Sequence, residues 1–259
     1  MQDAVVVGYA RTPIGKFGGG LSSLTAMQLG GRAISGALER AGVAGEDVGY
    51  VVMGHVLQAG QGQITSRQAA LEAGIPLDVP AETINKVCPS GMAAVARAAS
   101  LIKLGEFDTI VAGGMESMSN APYVLDKARF GYRMGDGQLK DSMMFDGLTC
   151  AIDHEAMGAA TERYQGESHD YSRAAQDEWS ARSHERAATA WKDGAYDDEV
   201  VSVEVPQRKG DPVLIDSDEG IRPGTSADSL GGLGRRSPRT ARSPRATPRR
   251  SRTVARRSC

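Results

Sequence analysis

The sequence predicts an α/β protein in which a mostly parallel sheet is flanked by helices and followed by an inserted loop region. Through the first 118 residues, short strand-like runs alternate with longer helical runs. This alternation is typical of a parallel sheet covered by helices. A glycine- and methionine-rich stretch from 120 to 158 then breaks the pattern. We interpret that stretch as an insertion rather than a continuation of the sheet.

Each element has a local signature. The expected strands are 4–9, 50–53, 82–87, 108–112 and 199–205, and the expected helices are 25–41, 66–73, 93–104 and 173–191. Thr25 and Gln28 have the spacing of a capping box, and Ser172 can cap the last helix. Gly42 and Gly105 follow helical runs, where left-handed caps are common. The expected buried face of the first helix comprises Leu29, Ala33, Ala37 and Leu38.

One cysteine stands at the junction of a predicted strand and helix. Cys88 ends the strand-like run and precedes Pro89, which fits the first position of the following helix. Free N–H groups and the positive end of the helix dipole favour a thiolate there, as a nucleophile requires. The alternative is a small buried apolar residue, the commoner role of a free cysteine.

Composition favours a cytoplasmic enzyme. All 32 acidic residues precede Ser229, together with 20 of the 30 lysines and arginines. Such an acidic body lacks a basic footprint for nucleic acid or anionic membranes. No apolar run is long enough to span a bilayer, and no cleavable leader is recognisable. The three widely spaced cysteines, Cys88, Cys150 and Cys259, suit reduced thiols.

Four segments make the chain resemble the thiolase family, and the likeness extends from residue 3 to about 233. The segments are 11–19, 85–91, 113–119 and 172–178. The resemblance implies the amino-terminal half of a layered thiolase fold, carrying the nucleophile in 1–118. It further implies a substrate-binding loop region and return to the half-domain in 119–233. A disordered Arg/Ser/Pro tail is expected in 234–259.

The family's chemistry implies roles for five residues. Cys88 matches the nucleophile that takes an acyl group from a CoA thioester. Leu148 and Met157 match acyl and pantetheine contacts, whereas Arg222 and Ser229 match residues that hold the nucleotide end of CoA. The alternatives are packing for Leu148 and Met157, a solvated charge for Arg222 and a plain loop position for Ser229. CoA and its thioesters would be substrates, with no metal or other cofactor, and full-length relatives are usually homotetramers or dimers.

The sequence departs from the family in two places. Short-chain members usually have a histidine where this chain has Ala156, with His154 two residues earlier. The G-H-P, C-x-G-G-G and N-E-A-F motifs of the family's second half do not occur. The four histidines lie in unrelated contexts, and we expect surface or satisfied polar roles for all of them: His55, His154, His169 and His184.

The tail suggests a frameshift near 231–234. Back-translating residues from Gly234 onward with permitted codons, and reading another frame, gives a thiolase-like sequence. We therefore expect a truncated, inactive thiolase remnant unless the reading frame is corrected.

Two other functions remain open. The chain could be a non-catalytic fragment that binds CoA or pairs with other subunits. Alternatively, its basic tail could be an RNA-binding segment on an unrelated acidic domain. Without the second half, the apolar helix that follows Cys88 would be exposed, which predicts poor solubility or association.

Overall fold

A computed structural model describes residues 3–168 and 171–233. The predicted tail and Cys259 lie outside these residues. The helices are α1 (Ala26–Ala41), α2 (Thr65–Glu72), α3 (Ser90–Leu104), α4 (Met157–Ser168), α5 (Arg173–Lys192) and α6 (Ala227–Gly231). The strands are β1 (Tyr50–Gly54), β2 (Ala81–Ile84), β3 (Ile110–Gly114), β4 (Tyr123–Leu125), β5 (Leu139–Asp141), β6 (Val203–Val205) and β7 (Val213–Ile215).

The central sheet is parallel, as predicted. Its order is β2-β1-β3, with β1 hydrogen-bonded to both neighbours. Val51 and Met53 of β1 belong to a core shared with α1 and α2. Because side chains alternate along a strand, Val52 and Gly54 face the opposite side, where Gly54 meets the first residues of α3. Helices therefore cover both faces of the sheet.

The four predicted helix caps are confirmed. Thr25 and Gln28 form a capping box at the start of α1, and Gly42 ends this helix in the left-handed conformation. Gly105 caps α3 in the same way, and the Ser172 side chain accepts a hydrogen bond from Ala175 at the start of α5. These signals act within one turn of the chain, so the sequence alone reveals them.

The buried face predicted for α1 needs correction. Leu29, Ala33, Ala37 and Leu38 are only partly buried. The most buried positions include Met27, Gly30 and Ile34. A Cβ on Gly30 would lie 2.7 Å from the sulfur of Met115 and 3.3 Å from Cβ of Ala69 on α2. Close packing against these neighbours turns the glycine side of α1 inward.

The first and the last of the predicted strands differ most from the structure. Residues 4–9 form no strand among the described residues, and Val5, Val6 and Val7 are exposed. Their β propensity is high, but a strand also needs a hydrogen-bonded neighbour. The strand predicted at 199–205 is reduced to β6, where Val203 and Val205 are buried and Glu204 is exposed.

The region after β3 is mostly irregular. It contains the antiparallel β4–β5 hairpin and a π-helix over Met143–Leu148, and α4 begins at Met157. Further along the chain, β6 and β7 form a second antiparallel hairpin. The carboxylate of Glu219, just after β7, accepts hydrogen bonds from the backbone N–H groups of Lys16 and Gly20. That contact ties the chain after β7 to the loop that precedes α1.

Candidate active site at the Cys88 elbow

The loop from Asn85 to Pro89 forms a sharp elbow between β2 and α3. The strand ends at Ile84, three residues earlier than predicted, because the chain turns at Val87. The φ angle of Val87 is 53°, a conformation that a β-branched residue rarely adopts. The predicted position of Pro89 is also corrected by one residue, since it is the N-cap and α3 begins at Ser90.

Three contacts hold this strained turn. The Asn85 side-chain oxygen accepts a hydrogen bond from Val87 N at 3.0 Å. The Ser90 hydroxyl accepts from Lys86 N at 2.8 Å and donates to the Val87 carbonyl. Strain at a functional position persists only where surrounding structure over-determines it, and these contacts meet that requirement.

The end of β1 passes directly beneath the start of α3. A Cβ added to Gly54 would lie 2.5 Å from the Ser90 carbonyl carbon and 2.6 Å from Gly91 N. No side chain fits in that space, so glycine is required for the approach. The elbow is consequently held against the carboxyl edge of the sheet, where parallel α/β folds place their ligands.

The Cys88 side chain is exposed and carries a free thiol. It precedes the amino terminus of a 15-residue helix, where free N–H groups and the helix dipole favour negative charge. The bland alternative of a buried apolar cysteine therefore does not apply. Its apolar neighbours Val87, Met92 and Val95 are also exposed, and Met92 retains 77% of its accessible surface.

Sequence reasoning missed a polar pair behind the elbow. His55 follows β1, and Glu116 comes two residues after β3. His55 Nε2 lies 3.2 Å from a Glu116 carboxylate oxygen, and His55 Nδ1 lies 2.9 Å from the Thr65 hydroxyl. The histidine is buried and satisfied, as expected from its sequence context. The pair could have been predicted from the sequence, because residues that directly follow neighbouring parallel strands meet at one edge of the sheet.

Leu148 and Met157 directly flank a short backbone bridge. Thr149 and Ala156 form an isolated antiparallel bridge, with Leu148 before the first of these residues and Met157 after the second. Leu148 ends the π-helix and is partly buried, and Met157 begins α4 with 49% of its surface exposed. The bridge therefore joins the two segments that carry the residues matched to acyl and pantetheine contacts.

Arg222 and Ser229 belong to a second segment, next to α5. The backbone N–H of Arg222 donates to His184 Nδ1 at 3.3 Å, and its side chain is exposed. Ser229 is exposed at N3 of α6, and its hydroxyl takes part in a capping box with Ser226. A 630 Å³ cleft lies between α5 and this segment, and its charged lining residues are Glu178, Arg182 and Glu185.

Two other candidate residues, Cys150 and His154, are among those that the structure describes. Cys150 is partly buried, and its sulfur accepts a contact from Asp153 N at 3.5 Å. His154 is exposed with a φ of 54°, and His169 lies outside the described residues.

Within 3–168 and 171–233, no cluster of His, Cys, Asp and Glu side chains could hold a metal ion. In the same ranges, no helix has the length and apolar character needed to cross a membrane.

This fold and its cysteine elbow define a thiolase-type half-domain, and sequence comparison agrees. A family model described as the thiolase N-terminal domain matches residues 4–235. The chain belongs to the thiolase family.

Individual relatives give the same result. A probable acetyl-CoA acetyltransferase of Mycolicibacterium smegmatis is 53% identical over 229 residues, covering 88% of this chain and 59% of the relative. The acetyl-CoA acetyltransferase of Cupriavidus necator is 50% identical over 233 residues, covering 90% and 59%. The crystal structure of the Bacillus anthracis acetyl-CoA acetyltransferase superposes with a TM-score of 0.86 at 37% identity, covering 90% of this chain and 58% of that one. The chain therefore spans about three fifths of the length of these relatives.

Proposed function

We propose that this chain carries the acyl-accepting part of a thiolase of the acetyl-CoA C-acetyltransferase type. The supporting observation is Cys88, an exposed thiol on a strained loop directly before the α3 amino terminus. Covalent acyl transfer needs a nucleophile that is accessible and held in a fixed position. The names of the relatives suggest acetyl-CoA as the acyl donor.

In this proposal the Cys88 thiolate attacks the thioester carbonyl carbon of acetyl-CoA. A new carbon–sulfur bond forms, the bond to the CoA sulfur breaks, and CoA leaves as a thiolate that takes up a proton. Within residues 3–168 and 171–233, the backbone N–H of Cys88 has no hydrogen-bond acceptor. It is thus available to stabilise the oxyanion of the tetrahedral intermediate, a contribution typically worth about 3 kcal/mol.

The remaining predicted residues would bind the rest of the substrate. Leu148 and Met157, which flank the Thr149–Ala156 bridge, would present apolar surface to the acyl and pantetheine parts. Arg222, with an exposed guanidinium, and Ser229 would contact the nucleotide end. CoA and acyl-CoA would be the substrates, without a resident cofactor. The second step gives acetoacetyl-CoA or, in reverse, thiolytic cleavage of a 3-ketoacyl-CoA. We assign that step to a full-length cytoplasmic homo-oligomer, a tetramer or a dimer.

Acylation can be tested apart from turnover. The purified chain would be incubated with acetyl-CoA, and the modified cysteine mapped by intact-mass and peptide mass spectrometry. We expect one acetyl group on Cys88, none on Cys88→Ser and unchanged labelling in Cys150→Ser. Failure of the chain to label Cys88 would contradict the proposed acyl transfer.

A second candidate function is a non-catalytic one, in binding CoA or pairing with another subunit. The exposed apolar residues near the elbow, Val87, Met92 and Val95, favour it, since such surfaces commonly mark protein contacts. The same labelling experiment separates the two, because CoA binding measured by calorimetry without Cys88 acylation would support only the non-catalytic role.

A further inference from the structure

The structure assigns Glu116 a further role, as a positioning residue that sets the geometry of Cys88 through the Val56–Leu57 peptide and Asn85. This inference rests on the proposed role of Cys88 as the acyl acceptor. Glu116 would touch neither the substrate nor the thiol, and its effect would pass through the backbone that follows β1.

The first step is the hydrogen bonding between the Glu116 carboxylate and the loop after β1. Its carboxylate accepts hydrogen bonds from Val56 N at 3.0 Å and from Leu57 N at 3.3 Å. The backbone N–H of Met115 donates to the Gly54 carbonyl at 3.0 Å, so the two strand ends are joined directly before this contact. A carboxylate that accepts two backbone N–H groups forms charge-assisted hydrogen bonds, which are stronger than neutral ones.

The second step is the support that His55 gives to Glu116. His55 Nε2 lies 3.2 Å from a Glu116 carboxylate oxygen, so the imidazole borders the carboxylate directly. His55 Nδ1 and the Thr65 hydroxyl are hydrogen-bonded at 2.9 Å, which holds the imidazole ring. His55 retains only 1% of its accessible surface. Glu116 therefore has a rigid partner on one side and the Val56–Leu57 backbone on the other.

The third step connects this backbone to the elbow. The peptide that donates Leu57 N–H to Glu116 also presents the Val56 carbonyl, which accepts from the Asn85 side-chain amide at 3.3 Å. Asn85 in turn accepts from Val87 N at 3.0 Å. A peptide hydrogen-bonded at both ends is polarised, and each bond strengthens the other. The chain of contacts ends at the strained residue directly before Cys88.

Three variants test whether these residues act in series. Glu116→Ala removes the first contact, Asn85→Ala removes the last, and the double variant removes both. Glu116→Gln retains the shape and one acceptor oxygen and should restore part of the effect. The readouts are the rate of Cys88 alkylation by iodoacetamide and the rate of its labelling by acetyl-CoA. Cys150, in the same molecule, is the control thiol.

We expect Glu116→Ala to slow both reactions of Cys88 by about tenfold. A displaced thiol would lose the favourable field of the α3 amino terminus, which lowers its reactivity toward iodoacetamide, and it would lose its alignment with a bound thioester. Alkylation of Cys150 should not change, and Glu116→Gln should fall between the wild type and Glu116→Ala. The double variant should be no slower than the slower single variant, because residues acting through one path are not additive.

Several outcomes would overturn the inference. These are an unchanged Cys88 rate in Glu116→Ala, an equal change at Cys150, or single effects that multiply in the double variant. If Glu116→Ala fails to fold, as judged by circular dichroism, Glu116→Gln and Asn85→Ala carry the same test. Iodoacetamide reacts independently of acyl transfer. Lack of acetyl labelling in the wild type would therefore count against the proposed function, while the alkylation rates still test the positioning role.

Discussion

The substitution Asp218→Ala would remove one member of an ionic clamp that joins distant parts of the chain. The clamp consists of Asp218, Arg11 and Glu199. Asp218 accepts two hydrogen bonds from the Arg11 guanidinium, at 2.8 and 3.2 Å. It also accepts from Ile14 N at 2.8 Å and from the Trp191 indole at 3.3 Å. The side-chain exposures are 13% for Asp218 and 28% for Arg11, so the pair is partly screened from water.

The magnitude follows from this intermediate burial. Exposed ion pairs contribute at most about 1 kcal/mol, whereas removing one partner of a buried pair costs about 3 to 5 kcal/mol. In the variant Arg11 keeps its ion pair with Glu199 and its contact with the Tyr196 ring. We therefore expect the free energy of unfolding to fall by about 2 kcal/mol. With a urea dependence of about 2.5 kcal/mol/M, the midpoint should shift by roughly 0.8 M.

The assay is urea unfolding followed by tryptophan fluorescence, because Trp191 contacts the clamp. Asp216→Ala is the matched control, since Asp216 is an exposed aspartate two residues away. Its effect should be within about 0.5 kcal/mol of zero. An Asp218→Ala midpoint equal to that of the wild type, or a loss of the same size in Asp216→Ala, would refute the reasoning.

Three further predictions concern pH, a helix cap and the exposed face of α3. Burial would raise the pKa of Asp218, but hydrogen bonds from Arg11 and other donors hold the pKa below its ordinary value. Its stabilising contribution is therefore present above about pH 4 and lost as pH falls further, and urea midpoints measured from pH 6 to pH 3 should fall less steeply in Asp218→Asn. Thr25→Ala should cost about 1 kcal/mol, measured by the same urea unfolding, because it removes the capping box of α1. Replacing Met92 and Val95 by lysine should reduce association in light scattering, since both side chains are exposed. A monodisperse wild-type monomer would contradict that last expectation.

Local signals made the helices predictable. The ends of α1, α3 and α5 are set by a capping box, a glycine or a serine within one turn, so their positions were visible in the sequence. The extent of a strand depends instead on a neighbour that may be distant in the chain. The apolar run at 4–9 has strand propensity but no ladder partner among the described residues, and it could not be assigned correctly from propensity.

The candidate site also has one part that the sequence predicted and another that it did not. The position of Cys88 before a helix follows from the order of apolar, cysteine, proline and small residues, so the sequence indicated it. The contacts that hold it do not follow from local order. Glu116 lies 60 residues from Val56, its hydrogen-bond partner. Only the topology of the sheet, with β1 between β2 and β3, brings these groups to one edge.

That topology explains how the contacts around the Cys88 elbow are assembled in this part of the fold. The three parallel strands end at Gly54, Ile84 and Gly114. Each delivers its next residues to the same edge: the His55 loop, the Cys88 elbow and the Glu116 turn. A parallel sheet requires this coincidence of carboxyl ends, and the elbow therefore depends on contacts that the described residues supply themselves. The proposed acylation of Cys88 draws on groups at this edge and on a bound thioester, whereas carbon–carbon bond formation also needs an acid and a base. Measuring acylation of Cys88 separately from turnover therefore tests the proposed step that depends on this edge of the sheet.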